Sequence, residues 1–80
     1  MPRFFFHVYD HEAIIDHLGT ELANVAAAQI HASCLAARLI AKSPEKVWIG
    51  GKWFMEATDS NGFLFFRLDL TASPVRSLSS

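Results

Sequence analysis

Four histidines in an 80-residue chain are the first residues whose types could do chemistry. His7 and His11 stand with three residues between them, and His11-Glu12 follows Asp10. A zinc centre needs three or four ligands converging at about 2.0–2.3 Å. That spacing brings two imidazoles together on a helix, but the segment around His7 has strand character and no cysteine pair completes a set. The histidines read as surface and turn residues. His31 and Cys34 form an i, i+3 pair that suggests a Cys–His nucleophile. Cys34 falls mid-helix among alanines, however, far from a helix N-terminus that would favour its thiolate, and reads as a small structural residue. Asp10, Glu12 and Asp16 cluster around one turn. A glycosidase-type pair of carboxyls needs a cleft, for which a domain with one helix has little room. Gly50-Gly51 lacks the Lys-Ser/Thr pair and following helix of a phosphate loop, and reads as the opening of a hairpin or a bulge. The expectation is no catalytic residue, no metal and no cofactor.

Elements must position these residues. "RFFFHVY", residues 3–9, is rich in aromatics that suit a pleated surface. Residues 13–16 supply a short returning strand after the polar Asp10-His11-Glu12, and Gly19 marks a turn. Asn24 is suited to cap a helix over 25–41. Val25, Ala28, Ala32, Leu35, Ala36 and Leu39 make its core stripe, with Leu35 and Leu39 as the large members. Ile30, Cys34, Ala37 and Ala41 form a minor apolar strip elsewhere. Ser43-Pro44 stops the helix. Residues 47–70 read as a second hairpin around a tight turn at 59–62, where Gly62 or Asn61 takes positive φ. Trp53, Met55 and Ala57 then share one face with Leu64, Phe66, Leu68 and Leu70. The predicted fold is a single small α+β domain over 1–72, ββαββ. It has a four-stranded, mainly antiparallel sheet with one helix packed on one face, and a frayed Ser-rich tail at 73–80.

One helix covers one face of such a sheet. Phe4, Phe6 and Val8 point to the helix, so Phe5, His7, Tyr9, Phe54, Phe63, Phe65 and Arg67 fall on the uncovered face. Glu56 and Arg67 are placed to pair there. An aromatic patch of that size exceeds the few hundred Å² typical of soluble monomers, which predicts a partner: most simply a second copy in a homodimer, otherwise another protein. Such a face also resembles the stacking platform of single-strand RNA binders. Those platforms carry a basic surround, whereas this chain has net charge −1.

The bulk properties fit a small cytoplasmic protein. A hydrophobic fraction of 51% is ample for a core. The net charge gives no footprint for an anionic membrane. One cysteine makes no internal disulfide and suits a reducing compartment. "MPRFFFHVYD" does not read as a signal peptide, and no stretch reaches the ~20 apolar residues of a membrane helix.

The ordered set "MPRFFFHVYD", D-x-x-G-T-E-L at 16–22, an alanine-rich helix, "GGKWFMEATD" at 50–59 and "GFLFFRLDL" at 62–70 resembles a family of short bacterial proteins. That family is known only as a domain of unknown function and is frequent in alphaproteobacteria. The resemblance implies a compact α+β domain and no established activity. Ala23-Asn24 stands where the family more often shows Pro-Asp, and the helix is more apolar than usual. A fainter similarity to HicB-type antitoxins, which also place a Gly-containing turn between strand and helix, implies a regulatory alternative by analogy.

Overall fold

Alternation decides the first strand. In β1 (Arg3–Tyr9), Phe4, Phe6 and Val8 are buried while Phe5, His7 and Tyr9 stay half-buried on the other face, as the pleat requires. The computed structural model describes residues 2–49 and 52–72. The elements expected from sequence appear in order, with one additional strand. β2 (Ala13–Ile14) returns antiparallel on β1, Val8 opposite Ile14. The addition is β3 (Thr20–Glu21), which pairs with the start of the same β1 edge, Arg3 opposite Glu21. β4 (Trp53–Thr58) takes the other edge of β1, and β5 (Leu64–Leu70) lies outside β4. All pairings are antiparallel, in the order β2-β1-β4-β5.

Helix α1 (Val25–Lys42) starts where Asn24 Oδ1 accepts from Ala27 N–H at 2.8 Å. It ends at Ser43, and Pro44 opens a 3-10 turn over Pro44–Val47. Its buried positions are Ala28, Ala32 and Ala36, spaced one turn apart. Small residues let the helix backbone approach a sheet whose own inner residues are large: Phe4, Phe6, Trp53 and Met55. Leu35 and Leu39 pack at the flank, half-buried. Two positions depart from the predicted stripe. Val25, in the first turn, is 38% exposed, and His31 joins the inner side with its ring 4.8 Å from that of Phe6.

The second hairpin turns at Asp59. Its Oδ1 accepts from Asn61 N–H at 2.8 Å and Phe63 N–H at 2.9 Å, and Gly62 takes φ +85°. The return strand then breaks its alternation. Ala57 pairs with Phe66 but Thr58 pairs with Leu64, so Phe65 is an extra residue in β5, a β-bulge. Beyond it Leu64 turns to the outer side opposite Thr58. Phe65 turns inward, its ring 5.0 Å from that of the buried Phe4. This corrects the placement of Phe65 on the uncovered face: the bulge resets the count of two. Phe63 follows Phe65, with ring centroids 5.2 Å apart edge to face. Residues 47–49 are not strand, as the 3-10 turn runs through Val47. The hairpin opening or bulge expected at Gly50-Gly51 and the frayed tail at 73–80 lie outside the described residues. Among the described residues no helix is long and apolar enough to cross a membrane.

Candidate functional site

Two groups of residues meet on the side of the sheet opposite α1. The first is a clasp built by D-x-x-G-T-E-L. The Asp16 carboxylate accepts three backbone N–H groups: Leu18 and Gly19 on Oδ1, each at 3.0 Å, and Phe6 on Oδ2 at 3.1 Å. It thereby closes its own turn and fastens it to the edge of β1. Burial alone would raise the Asp16 pKa, but the N–H groups of Gly19, Phe6 and Leu18, with the nearby His7, outweigh it and hold the carboxyl below its ordinary value. Gly19 has φ +72°. A Cβ there would lie 2.7 Å from Arg3 Cγ and 2.9 Å from Phe5 Cε2, so the turn passes directly under these side chains. Arg3 completes the clasp by donating to Leu18 O at 2.8 Å and reaching Glu21 at 3.5 Å.

His7, Asp16 and Thr58 are brought together here, a grouping with the composition of a nucleophilic triad. His7 Nε2 lies 2.9 Å from Thr58 Oγ1. Its Nδ1, however, accepts from the backbone N–H of Asp16 at 3.1 Å, not from the carboxylate. The proton of the neutral ring is therefore on Nε2, donated to Thr58. A triad needs the reverse: Nδ1–H held by the carboxylate and Nε2 free to take the hydroxyl proton. The arrangement satisfies Thr58, which is only 7% exposed, and ties the loop to β1 and β4. An open recess of about 280 Å³ adjoins it, lined by Phe5, His17, Ser60 and Gly62 among others.

The second group is the aromatic face. Tyr9 and Phe54 are cross-strand neighbours with rings stacked 4.7 Å apart and inclined by 18°. The Arg67 guanidinium lies 3.8 Å from the Phe54 ring centre, so β1, β4 and β5 each contribute one layer of a Tyr–Phe–Arg stack. Arg67 pairs with Asp69, Nε to Oδ1 at 3.0 Å, not with the facing Glu56 as expected. Of the residues predicted for this face, Phe5, His7, Tyr9, Phe54 and Arg67 are on it. Phe65 is against Phe4, and Phe63, 62% exposed, is with Phe65 at the hairpin end. Leu64, 47% exposed, takes the vacated outer position.

The remaining candidates scatter. His11 meets Ile49 O at 3.1 Å, His17 is exposed at the clasp, and Cys34 is exposed on the helix. Asp10 accepts from Glu12 N–H at 3.1 Å, which chiefly lowers its pKa. Among the described residues, no three His, Cys, Asp or Glu side chains are grouped to hold a metal ion. Sequence reasoning missed the clasp as a unit. The signal was present: an Asp at the head of a turn can bond the backbone N–H two residues on, as Asp16 does with Leu18, and Gly19 follows to take the positive φ.

Among the described residues, one α-helix on one face of an antiparallel sheet, with a carboxylate clasp fastening its edge loop, defines a small α+β domain. The chain belongs to the family described as Domain of unknown function (DUF6894), whose model matches residues 3–71. No curated protein and no solved structure matches it.

Proposed function

We propose that this domain is a non-enzymatic interaction module that binds another protein through the outer face of its sheet. The observation that supports this is the set of rings Phe5, Tyr9 and Phe54 on the face that α1 does not cover. Rings held on rigid strands lose little entropy on binding and bury large area. With Phe63 and Phe65 off this face, it carries three of the five rings expected there. A face-to-face homodimer loses much of its area, and a partner bringing its own apolar surface fits better. Nucleic acid is disfavoured because Tyr9 and Arg67 already pack against Phe54, leaving it poorly placed to stack on a base. The polarity of the His7–Thr58 contact argues against nucleophilic chemistry at that site. The module is proposed to work in the reducing cytoplasm, where the exposed thiol of Cys34 stays reduced.

The test is affinity capture from the native host with quantitative mass spectrometry, using wild type, Tyr9→Glu and Phe54→Ser. Circular dichroism should show all three folded. A protein retained by wild type and lost from both variants is the expected result. Identical captured sets would refute the outer face as the binding surface.

A further inference from the structure

The two edges of the sheet are finished differently. On one side β1 is covered by β2 and β3. On the other, β5 runs for seven residues with β4 as its neighbour and no further strand among the described residues. Its burial is also unlike that of the inner strands. β1 and β4 each bury their helix-facing residues, whereas Phe66, Leu68 and Leu70 of β5 remain half-exposed. A groove of about 250 Å³ separates β5 from α1, with Gln29, Ala32 and Ser33 on the helix side. Unpaired edges carry a row of free N–H and C=O groups, and native proteins usually blunt or cover them.

We propose that β5 pairs antiparallel with β5 of a second copy, about a two-fold axis at Leu68. The side chains choose both occupant and register. With the axis at Leu68, Phe66 faces Leu70 of the second copy on the helix side, and Arg67 faces Asp69 of the second copy on the outer side. Opposite charges directly across a strand pair attract and like charges repel. Moving the axis to Arg67 sets arginine against arginine, and moving it to Asp69 sets aspartate against aspartate. At Phe66 the axis would draw the bulged Phe65 into the seam. An axis between residues would set an apolar inner residue against an outer one. The chosen register also uses the regular part of the strand, beyond the bulge. Arg67 and Asp69 keep 46% and 56% of their side chains accessible, so both can meet the second copy while retaining their own contact.

The product is one continuous sheet, β2-β1-β4-β5 followed by its mirror order, with both helices on the same side. Phe66, Leu68 and Leu70 of each copy cover one another at the seam. The seam shares Arg67 with the outer face but not Phe5, Tyr9 or Phe54, so Tyr9→Glu tests the pairing apart from the interaction proposed above.

Charge reversal tests it, read by sedimentation equilibrium of the full chain with circular dichroism as the check on folding. Wild type should be dimeric at about 100 µM. Arg67→Asp and Asp69→Arg each set like charges opposite in the homodimer, and each should weaken association roughly tenfold or more. Mixing the two variants restores opposite charges at both positions, so the mixture should form dimers of one chain of each kind. A contact within one chain cannot give that rescue. Tyr9→Glu should leave the dimer intact. A monomeric wild type, dimers that survive both charge variants, a mixture without rescue, or a dimer lost in Tyr9→Glu would each overturn the proposal.

Discussion

Gly19 shows how narrowly a single residue can be constrained. Two independent requirements meet there: a left-handed backbone at φ +72°, and room for Arg3 and Phe5 within 3 Å of where a Cβ would sit. A side chain in the left-handed region costs about 1–2 kcal/mol, and the contact with Phe5 adds to it. Gly19→Ala should therefore destabilise the domain by about 2–3 kcal/mol in urea titration. Gly62 is the control. Its φ is +85°, but nothing lies within 4 Å of a Cβ there, so Gly62→Ala should cost about 1–2 kcal/mol. Equal losses at the two positions would remove steric contact from the explanation. At the same scale, His7 is a structural bracket: one ring nitrogen accepts from the loop and the other donates to β4.

At the scale of elements, the bulge in β5 has the largest consequence. It turns Phe65 inward against Phe4 and leaves Phe63 at the hairpin end. Full truncation of a buried Phe costs about 3–5 kcal/mol, and Phe65 is half-buried. Phe65→Ala should cost about 2 kcal/mol, whereas Phe63→Ala should cost about 0.5–1 kcal/mol through its edge-to-face contact. Chemical denaturation of the two variants side by side checks the ranking, and the reverse order would remove the bulge as its cause. The helix follows the opposite design. Its seat on the sheet is made of alanines, and the large groups come from the strands, so closeness of approach rather than side-chain size on the helix sets the packing.

For the whole molecule, small size makes the carboxylate clasp matter. A domain of this length has total stability of only ~5–10 kcal/mol, and one loop fastening is a sizeable share of it. The folded state holds the Asp16 carboxyl below its ordinary value. The unfolded chain then binds a proton more readily, so the contribution of Asp16 is complete above the ordinary carboxyl range and fades as pH falls through the folded pKa. Asp16→Asn cannot titrate, and its amide nitrogen cannot accept from Phe6 N–H. It should lose about 1–2 kcal/mol at pH 7, and its gap from wild type should narrow below about pH 4. Thermal melts of both proteins from pH 7 to pH 3 measure this. A gap that stays constant to pH 3 would show that the Asp16 charge does not stabilise the fold. Asp10, also lowered chiefly by Glu12 N–H, is present in both proteins and leaves the comparison intact.

Much of the architecture was legible because it rests on short-range chemistry. The alternation in β1, the Asn24 cap, the stop at Ser43-Pro44 and the turn ending in Gly62 each depend on neighbours within a few positions, and each stands where the sequence predicts it. The family resemblance rests on the same local motifs and holds over residues 3–71. Long-range packing decided the rest. Whether a strand keeps its period depends on what lies across from it, and the mismatch of β4 with β5 places Phe65 inside. The partner of Arg67 is Asp69 and the Phe54 ring rather than Glu56. The convergence of His7, Asp16 and Thr58 joins residues up to 51 positions apart, and no local pattern encodes such a meeting. Side-chain type and spacing determined which elements form; only the packed sheet determined which side chains share a face and which way each proton points.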